Sequence, residues 1–130
     1  MGEPYLADSN VLIDFLMNRL PKEGAELMIE LLNTKQLAVS VISKIEVLGY
    51  NGDPDDLKQF RVLLSRLTLL PLDDAVTERT ITLRKTFKIK LPDAIIAATA
   101  LHHNQILLTR NLKDFNRIER LVCENLHKHT

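Results

Sequence analysis

The stretch PYLADSNVLIDFLMN, residues 4–18, joins a short apolar segment directly to an amphipathic one. Residues 4–8 are mostly apolar, and from Val11 to Leu16 the apolar side chains recur at helical spacing. We therefore predict a strand that runs straight into a helix. Asp8 lies at the junction, where the carboxyl end of the strand meets the start of the helix.

The rest of the chain continues this alternation of strand and helix. The predicted helices are Lys22–Asn33, 43–50, a segment opening at the turn cluster 52–56, a long segment from Asp73 or Asp74 toward Lys88, and 91–100; the predicted strands are 36–42, 68–72, 105–109 and 120–125. Such alternation favours an α/β domain in which helices cover both faces of a mostly parallel sheet. Sheets of this kind bind ligands beyond the carboxyl ends of their strands.

Composition limits the classes of protein that fit. The chain has 130 residues, 45% of them hydrophobic, which is enough for one compact domain over residues 1–130 without disulfides. No apolar run approaches the ~18 residues of a membrane span, and no secretory leader is recognisable, so we expect a cytoplasmic protein without a membrane segment. Seventeen basic residues balance seventeen acidic ones, so any nucleic acid must be bound locally.

Asp8 is the most informative acid in the sequence. Aspartate is disfavoured in strands, and either Ser9 or Asn10 could cap the following helix, so no capping role requires an acid here. We therefore favour a functional role for Asp8.

Three other acids also have structural interpretations. Ser43 and Glu46 fit a capping box, Asp93 could cap its own helix, and Asp114 follows good turn residues at 109–111. The stretch LPDAIIAATA, residues 91–100, is apolar on nearly every side, which implies deep burial of that helix. A buried carboxylate needs a partner, so Asp93 is the least easily explained of the three.

Several carboxylates at one sheet edge would repel one another unless they were protonated or bridged by a cation. Ligands that are all oxygen select hard ions such as Mg²⁺ or Mn²⁺. Such an ion can orient a phosphodiester, make a water more acidic and neutralise charge on the leaving oxygen. If these acids converge, their chemistry suits a nuclease.

Four motifs occur in order along the chain: ADSNVLID (7–14), SVISKIE (40–46), LPDAIIAATA (91–100) and LLTRNLKDF (107–115). Together they resemble the PIN-domain ribonucleases, especially the VapC-like toxins of bacterial and archaeal toxin-antitoxin pairs. The resemblance implies a three-layer α/β/α fold with a central parallel sheet and Mg²⁺-dependent endoribonuclease activity on an RNA substrate. It also implies inhibition by a cognate antitoxin protein and assembly as a homodimer.

The resemblance also implies roles for individual residues. Carried over by motif, the site comprises the metal ligands Asp8 and Asp93, the further acids Glu46 and Asp114, and the supporting polar residues Asn10, Thr109 and Asn111. The chain departs from the family pattern at Ser9, where threonine is common, and at Asn104, where glycine is common. Neither departure removes an acid.

The remaining features leave alternatives open. The basic residues Arg84, Lys85, Lys88 and Lys90, and separately Arg110 and Lys113, could contact RNA phosphates or could form solvated surface, and for the first group we favour the surface interpretation. The four histidines lack zinc-site spacing, and Cys123 is typical of a small core residue.

Two competing functions also stay open. One is an aspartyl-phosphate phosphatase with Asp8 as nucleophile, although Asn10 stands where its second acid is expected. The other is a catalytically silent PIN-like binding module.

Overall fold

The structure is a computed structural model that describes residues 2–50 and 52–127. Its elements, in chain order, are β1 (Tyr5–Ala7), α1 (Ser9–Leu16), α2 (Lys22–Asn33), β2 (Leu37–Ser40), α3 (Val41–Leu48), α4 (Pro54–Ser65), β3 (Thr68–Leu70), α5 (Asp74–Thr86), α6 (Leu91–His102), β4 (Ile106–Leu108), α7 (Leu112–Phe115) and β5 (Cys123–Glu124). Within the described ranges no helix is both long enough and apolar enough to cross a membrane.

The five strands form one sheet in the order β3-β2-β1-β4-β5, and every pairing is parallel. This confirms the predicted parallel sheet. The chain builds outward from β1 through β2 to β3, then crosses to the other side of β1 for β4 and β5. The order therefore reverses between β1 and β4, and a parallel sheet places its ligand crevice outside the carboxyl ends of strands at such a point.

Helices cover both faces of the sheet, as the three-layer fold requires. Leu6 faces a core built largely from α5 and α6, whereas the next residue, Ala7, faces a second core built largely from α1, α2 and α4. Successive side chains of a strand point to opposite faces, so even a three-residue strand contributes to both cores. The centre of α6 is buried without interruption from Ala94 to Ala100. Its small side chains let the helix pack closely on the sheet.

Most predicted elements are found, but several ends differ. The predicted strand 36–42 ends at Ser40, whose side chain caps α3 by accepting from the Ile42 amide at 3.2 Å. The capping box predicted from Ser43 is therefore wrong, because Ser43 already lies inside the helix. The last predicted strand, 120–125, is reduced to β5, and the short helix α7 was not predicted.

Asn104 has a φ of 54°, a left-handed conformation that asparagine tolerates better than most residues. This explains how the chain turns from α6 into β4 without the glycine that is common in the family.

Candidate active site

The site begins at the point where β1 ends beside β4. Asp8 follows β1 and is only 5% exposed. Its Oδ1 accepts a hydrogen bond from the Ser9 amide at 2.7 Å, and its Oδ2 accepts one from Thr109 Oγ1 at 2.8 Å. Asp8 is itself the N-cap residue of α1, so our argument that this acid has no capping role was wrong. The bond to Thr109 shows that the carboxylate also joins the two central strands.

Glu46 reaches the same region from α3. Its Oε1 accepts a hydrogen bond from Ser9 Oγ at 2.7 Å, across 37 residues of sequence. This contact replaces the local capping role that the sequence suggested. Ser9 therefore joins the first two acids, because its amide binds Asp8 and its hydroxyl binds Glu46.

Asp114 is joined to Asp8 through polar residues that follow β4. The Asn111 amide donates to Thr109 Oγ1 at 3.0 Å, and the Asn111 side-chain amide donates to Asp114 Oδ2 at 2.9 Å. Thr109 therefore accepts from Asn111 while it donates to Asp8. Of the three predicted supporting residues, Thr109 and Asn111 hold acids in place. The third, Asn10, is exposed and makes no side-chain hydrogen bond with the described residues.

Asp93 has a different environment from the other three acids. It lies half-buried in the first turn of α6, but Lys90 is the N-cap residue and the helix has no side-chain capping bond. Asp93 therefore does not cap its helix as the structural interpretation proposed. Its carboxylate accepts no hydrogen bond from residues 2–50 or 52–127. The sequence suggested a buried acid with a partner, and the structure has instead a partly open acid without one.

The acids act on one another electrostatically. Burial raises the pKa of Asp93 above its usual 3.8, and the charges of Asp8, Asp114 and Glu46 raise it further, while Lys90 opposes them. Since each of the other three acids contributes, all four share one region. The other three acids therefore lie within electrostatic range of Asp93, and the convergence of all four on one bound ion stays a prediction.

The pKa of Asp8 is also raised. Burial is the main cause; the hydrogen bonds from Thr109 and Ser9 oppose it, Glu46 adds to it, and Arg110 lowers it. A buried carboxylate with a raised pKa next to another acid favours the binding of a cation, because a cation stabilises the ionised forms.

The donor set fits a hard divalent cation. Mg²⁺ commonly uses one or two carboxylates and keeps several waters, so Asp8 and Asp93 would suffice as direct ligands. In the described part of the chain, no three histidine, cysteine, aspartate or glutamate side chains stand close enough to hold one ion together. An ion at this site would therefore be held by at most two of the described side chains, with water completing its coordination.

One buried acid near the site was missed by the sequence reasoning. Asp14 of α1 is 2% exposed, and its Oδ2 lies 2.9 Å from both Arg110 Nη1 and His127 Nε2. The sequence does contain an indication of a buried acid here, since Asp14 interrupts the apolar residues of α1. Arg110 lies between Thr109 and Asn111, so this ion pair anchors the backbone segment that holds the site acids.

Cys123 is half-buried in β5 and packs against the core beneath α6. Burial, and secondarily the charge of Asp8, raises the pKa of its thiol to about 11. The thiol is therefore protonated at neutral pH and has no nucleophilic character there.

Comparisons with known proteins agree with this fold. Ribonuclease VapC1 of Haemophilus influenzae (strain R2866) is 30% identical over an alignment that covers 95% of this chain and 98% of the relative. A chain in a toxin-antitoxin complex from Klebsiella pneumoniae is 35% identical, with a TM-score of 0.74 and coverage of 91% of this chain and 95% of that one. VapBC-1 from nontypeable Haemophilus influenzae is 28% identical, with a TM-score of 0.80 and coverage of 95% and 98%.

A family model described as PIN domain matches residues 5–121, a range that contains all four acids. The match therefore covers strands β1 to β4 and the crevice between β1 and β4. The chain belongs to the PIN-domain family, in its branch of VapC ribonucleases.

Proposed function

We propose that this protein is an endoribonuclease that depends on Mg²⁺ or Mn²⁺ and acts as the toxin of a toxin-antitoxin pair. The observation that carries the proposal is the environment of Asp93. Its carboxylate is half-buried, has no hydrogen-bond donor within the described chain, and is surrounded by three other acids that raise its pKa. The relatives named as ribonucleases supply the substrate class, RNA.

The residues divide into ligands and supports. Asp8 and Asp93 would hold the ion, which when bound would polarise a phosphodiester, make a water more acidic and neutralise charge on the leaving oxygen. Ser9 and Thr109 fix the orientation of the Asp8 carboxylate through one hydrogen bond to each oxygen. Asn111 does the same for one oxygen of Asp114. These bonds reduce the reorganisation that ion binding requires.

Glu46 and Asp114 are suited to accepting a proton. Each has one carboxylate oxygen engaged, by Ser9 and by Asn111, and the other oxygen has no hydrogen bond from the described residues. That second oxygen can accept a proton from a water that attacks the phosphodiester. We assign these two acids to water orientation and proton transfer.

The phosphatase alternative has less support. Asn10 occupies the position of the expected second acid, and its side chain is exposed. An aspartate that attacks phosphorus needs an acid nearby to protonate the leaving group, and an amide cannot supply that proton. The four-acid arrangement meets the needs of a metal-dependent nuclease more directly.

Two partners complete the proposal. Relatives of known structure are toxin-antitoxin complexes, so we propose that a cognate antitoxin protein binds and inhibits this chain. We also propose a homodimer, on the basis of the family resemblance. Light scattering of the purified chain, alone and with the product of the neighbouring gene, would measure both assemblies.

A cleavage assay tests the catalytic proposal. Wild-type protein, wild type with EDTA, and Asp93→Asn are incubated with RNA and Mg²⁺, and Asp74→Asn is the matched control because Asp74 is an exposed first-turn acid of α5. We expect cleavage only by wild type and Asp74→Asn. Equal cleavage in all four samples would contradict the mechanism, whereas metal binding without cleavage would favour the silent binding module.

A further inference from the structure

A cavity of about 440 Å³ opens beside the acid cluster, between the α5–α6 connection and α7. Its charged lining consists of Arg84, Lys88, Lys90 and Arg117, together with Asp93 and Asp114. Two of the four site acids therefore form one wall, and four cations form the rest of the charged lining. A cavity of this size accommodates a nucleotide-sized fragment.

The two arginines shape this cavity by binding the backbone of the α5–α6 connection. Arg84 Nη1 donates to the carbonyl of Ile89 at 2.9 Å, and Arg117 donates to the carbonyl of Lys88. The Arg117 guanidinium also lies 5.8 Å from the centre of the Phe87 ring. Both arginines therefore hold the connection in a fixed path that places Lys88 and Lys90 at the cavity.

Lys88 and Lys90, unlike the two arginines, do not bind the backbone of the connection. Lys88 and Lys90 are exposed, and neither side chain forms a hydrogen bond or ion pair within the described ranges. Lys90 also lies close enough to lower the pKa of Asp93. With Arg84 and Arg117 these lysines give the cavity four cations against two carboxylates, so its lining carries net positive charge and suits a polyanion.

The start of α6 adds to the same field. Lys90 is the N-cap residue of this 12-residue helix, and no side chain caps the first-turn amides of Leu91 and Asp93, Pro92 between them having none. The N-terminus of a helix carries a partial positive charge, and its amides bind phosphate readily. The lysines and the helix dipole therefore both favour a negative group at this edge of the site.

We propose that this cavity binds a backbone phosphate of single-stranded RNA adjacent to the phosphodiester that is cleaved, with Lys88 and Lys90 as its contacts. The proposal rests on the proposed ribonuclease function and adds a subsite to it. The acids would hold the reacting phosphodiester through the ion when it is bound, and Lys88 and Lys90 hold the neighbouring phosphate on the side of the α5–α6 connection. This reverses our sequence-based preference for a simple solvated surface at Lys88 and Lys90.

The experiment measures the salt dependence of RNA binding. Fluorescence anisotropy with a labelled single-stranded oligoribonucleotide, in EDTA to prevent cleavage, compares wild type with Lys88→Gln, Lys90→Gln and the double variant. Each phosphate contact contributes a slope of about 0.7 to the plot of log affinity against log salt for a single strand. We expect each single variant to lower the slope by ~0.7 and the double variant to lower it by ~1.4.

Lys85→Gln is the matched control, because Lys85 is an exposed lysine of α5 that does not line the cavity. The same variants are assayed for cleavage in Mg²⁺, where we expect KM to rise with kcat nearly unchanged. Equal slopes for the Lys85, Lys88 and Lys90 variants would overturn the subsite even if wild type cleaves RNA. Weaker antitoxin binding with an unchanged RNA slope would also overturn it, in favour of a protein contact. Failure of wild type to cleave RNA would instead count against the proposed function.

Discussion

Asp14 and Asp93 occupy similar sequence contexts and have opposite surroundings in the structure. Each is an acid in an apolar helical segment close to the carboxyl edge of the sheet. Asp14 is 2% exposed and is bound by Arg110 and His127, whereas Asp93 is half-buried and receives no hydrogen bond from the described chain. Asp14 is thus satisfied by the protein itself. Asp93 has no such partner in the described chain, which is why we propose it as a metal ligand.

The difference indicates how a structural acid can be distinguished from a functional one. A buried charge persists only if it is paired or hydrogen-bonded, and Asp14 meets this condition. An ionised acid among other acids lowers the stability of the folded protein when no cation is bound. Such unfavourable clusters of charge are found mainly at functional sites. The distinguishing property is therefore the partner of the carboxylate and not its degree of burial.

Asp93→Asn tests this comparison with the largest expected effect. If Asp93 holds the metal as proposed, its replacement removes several kcal/mol of transition-state stabilisation, so we expect RNA cleavage to fall by roughly a thousandfold. Asp14→Asn should lower cleavage by about tenfold, the low end for an outer-shell partner, because it weakens the contacts to Arg110 and His127 and touches no site acid. Initial cleavage rates in Mg²⁺ measure both changes. A larger loss in Asp14→Asn than in Asp93→Asn would invert the assignment.

Asp14→Ala should have the largest effect on stability. It removes hydrogen bonds from two side chains, Arg110 and His127, to a buried carboxylate. Both partners retain solvent access, 50% for Arg110 and 22% for His127, so we expect a loss of ~2 kcal/mol in the free energy of unfolding, the range of one charged hydrogen bond. Urea unfolding measures it, with Asp74→Ala as an exposed control. Equal midpoints for the two variants would show that the Asp14 network contributes nothing.

The same contrast marks the limit of what the sequence could predict. The alternation of strands and helices predicts the parallel sheet, because periodicity depends on local residue order. The four acids were predicted as a group because each follows or precedes a strand at one edge. Their hydrogen bonds were not predictable, since Ser9 binds Glu46 across 37 residues and Asp14 meets His127 across 113. Such contacts depend on how the helices pack, which local patterns do not specify.

Residues 41 and 42 were predicted to lie in a strand but belong to helix α3, and this error has a local cause. VSVI, residues 39–42, is β-branched at three of four positions and favours a strand. Ser40 nevertheless begins a helix, because its side chain accepts from the Ile42 amide and the helix packs against α1, α4 and α6. Tertiary packing here outweighs β propensity, and as a result Glu46 points toward Ser9 and away from its own helix start.

A smaller effect is expected in the stability of the metal-free protein, which should depend on pH through Asp93. The pKa of Asp93 is raised above 3.8, so the folded protein binds this proton more tightly than the unfolded chain does. The resulting stability is present below pH 3.8 and is lost as the pH rises through the raised pKa. At neutral pH in EDTA, Asp93→Asn should therefore be more stable than wild type, and the difference should vanish on acidification. Tm measured across this range tests it; a lower Tm for Asp93→Asn at neutral pH would show that Asp93 has a stabilising partner.

The smallest expected effect concerns Cys123. The pKa of its thiol responds to the charge of Asp8, and Asp14 is not among the causes of its shift. Burial mainly raises its pKa to about 11, and the charge of Asp8 adds to that rise. Asp8→Asn should therefore lower the thiol pKa slightly, and Mg²⁺ bound to wild type should lower it in the same direction, because a cation offsets the Asp8 charge. Asp14→Asn should leave it unchanged, since Asp14 is already paired with Arg110 and His127. Thiolate absorbance followed from pH 8 upward measures the titration. A response to Asp14→Asn and none to Asp8→Asn would place the uncompensated charge near Asp14 and would reverse the distinction between the two acids.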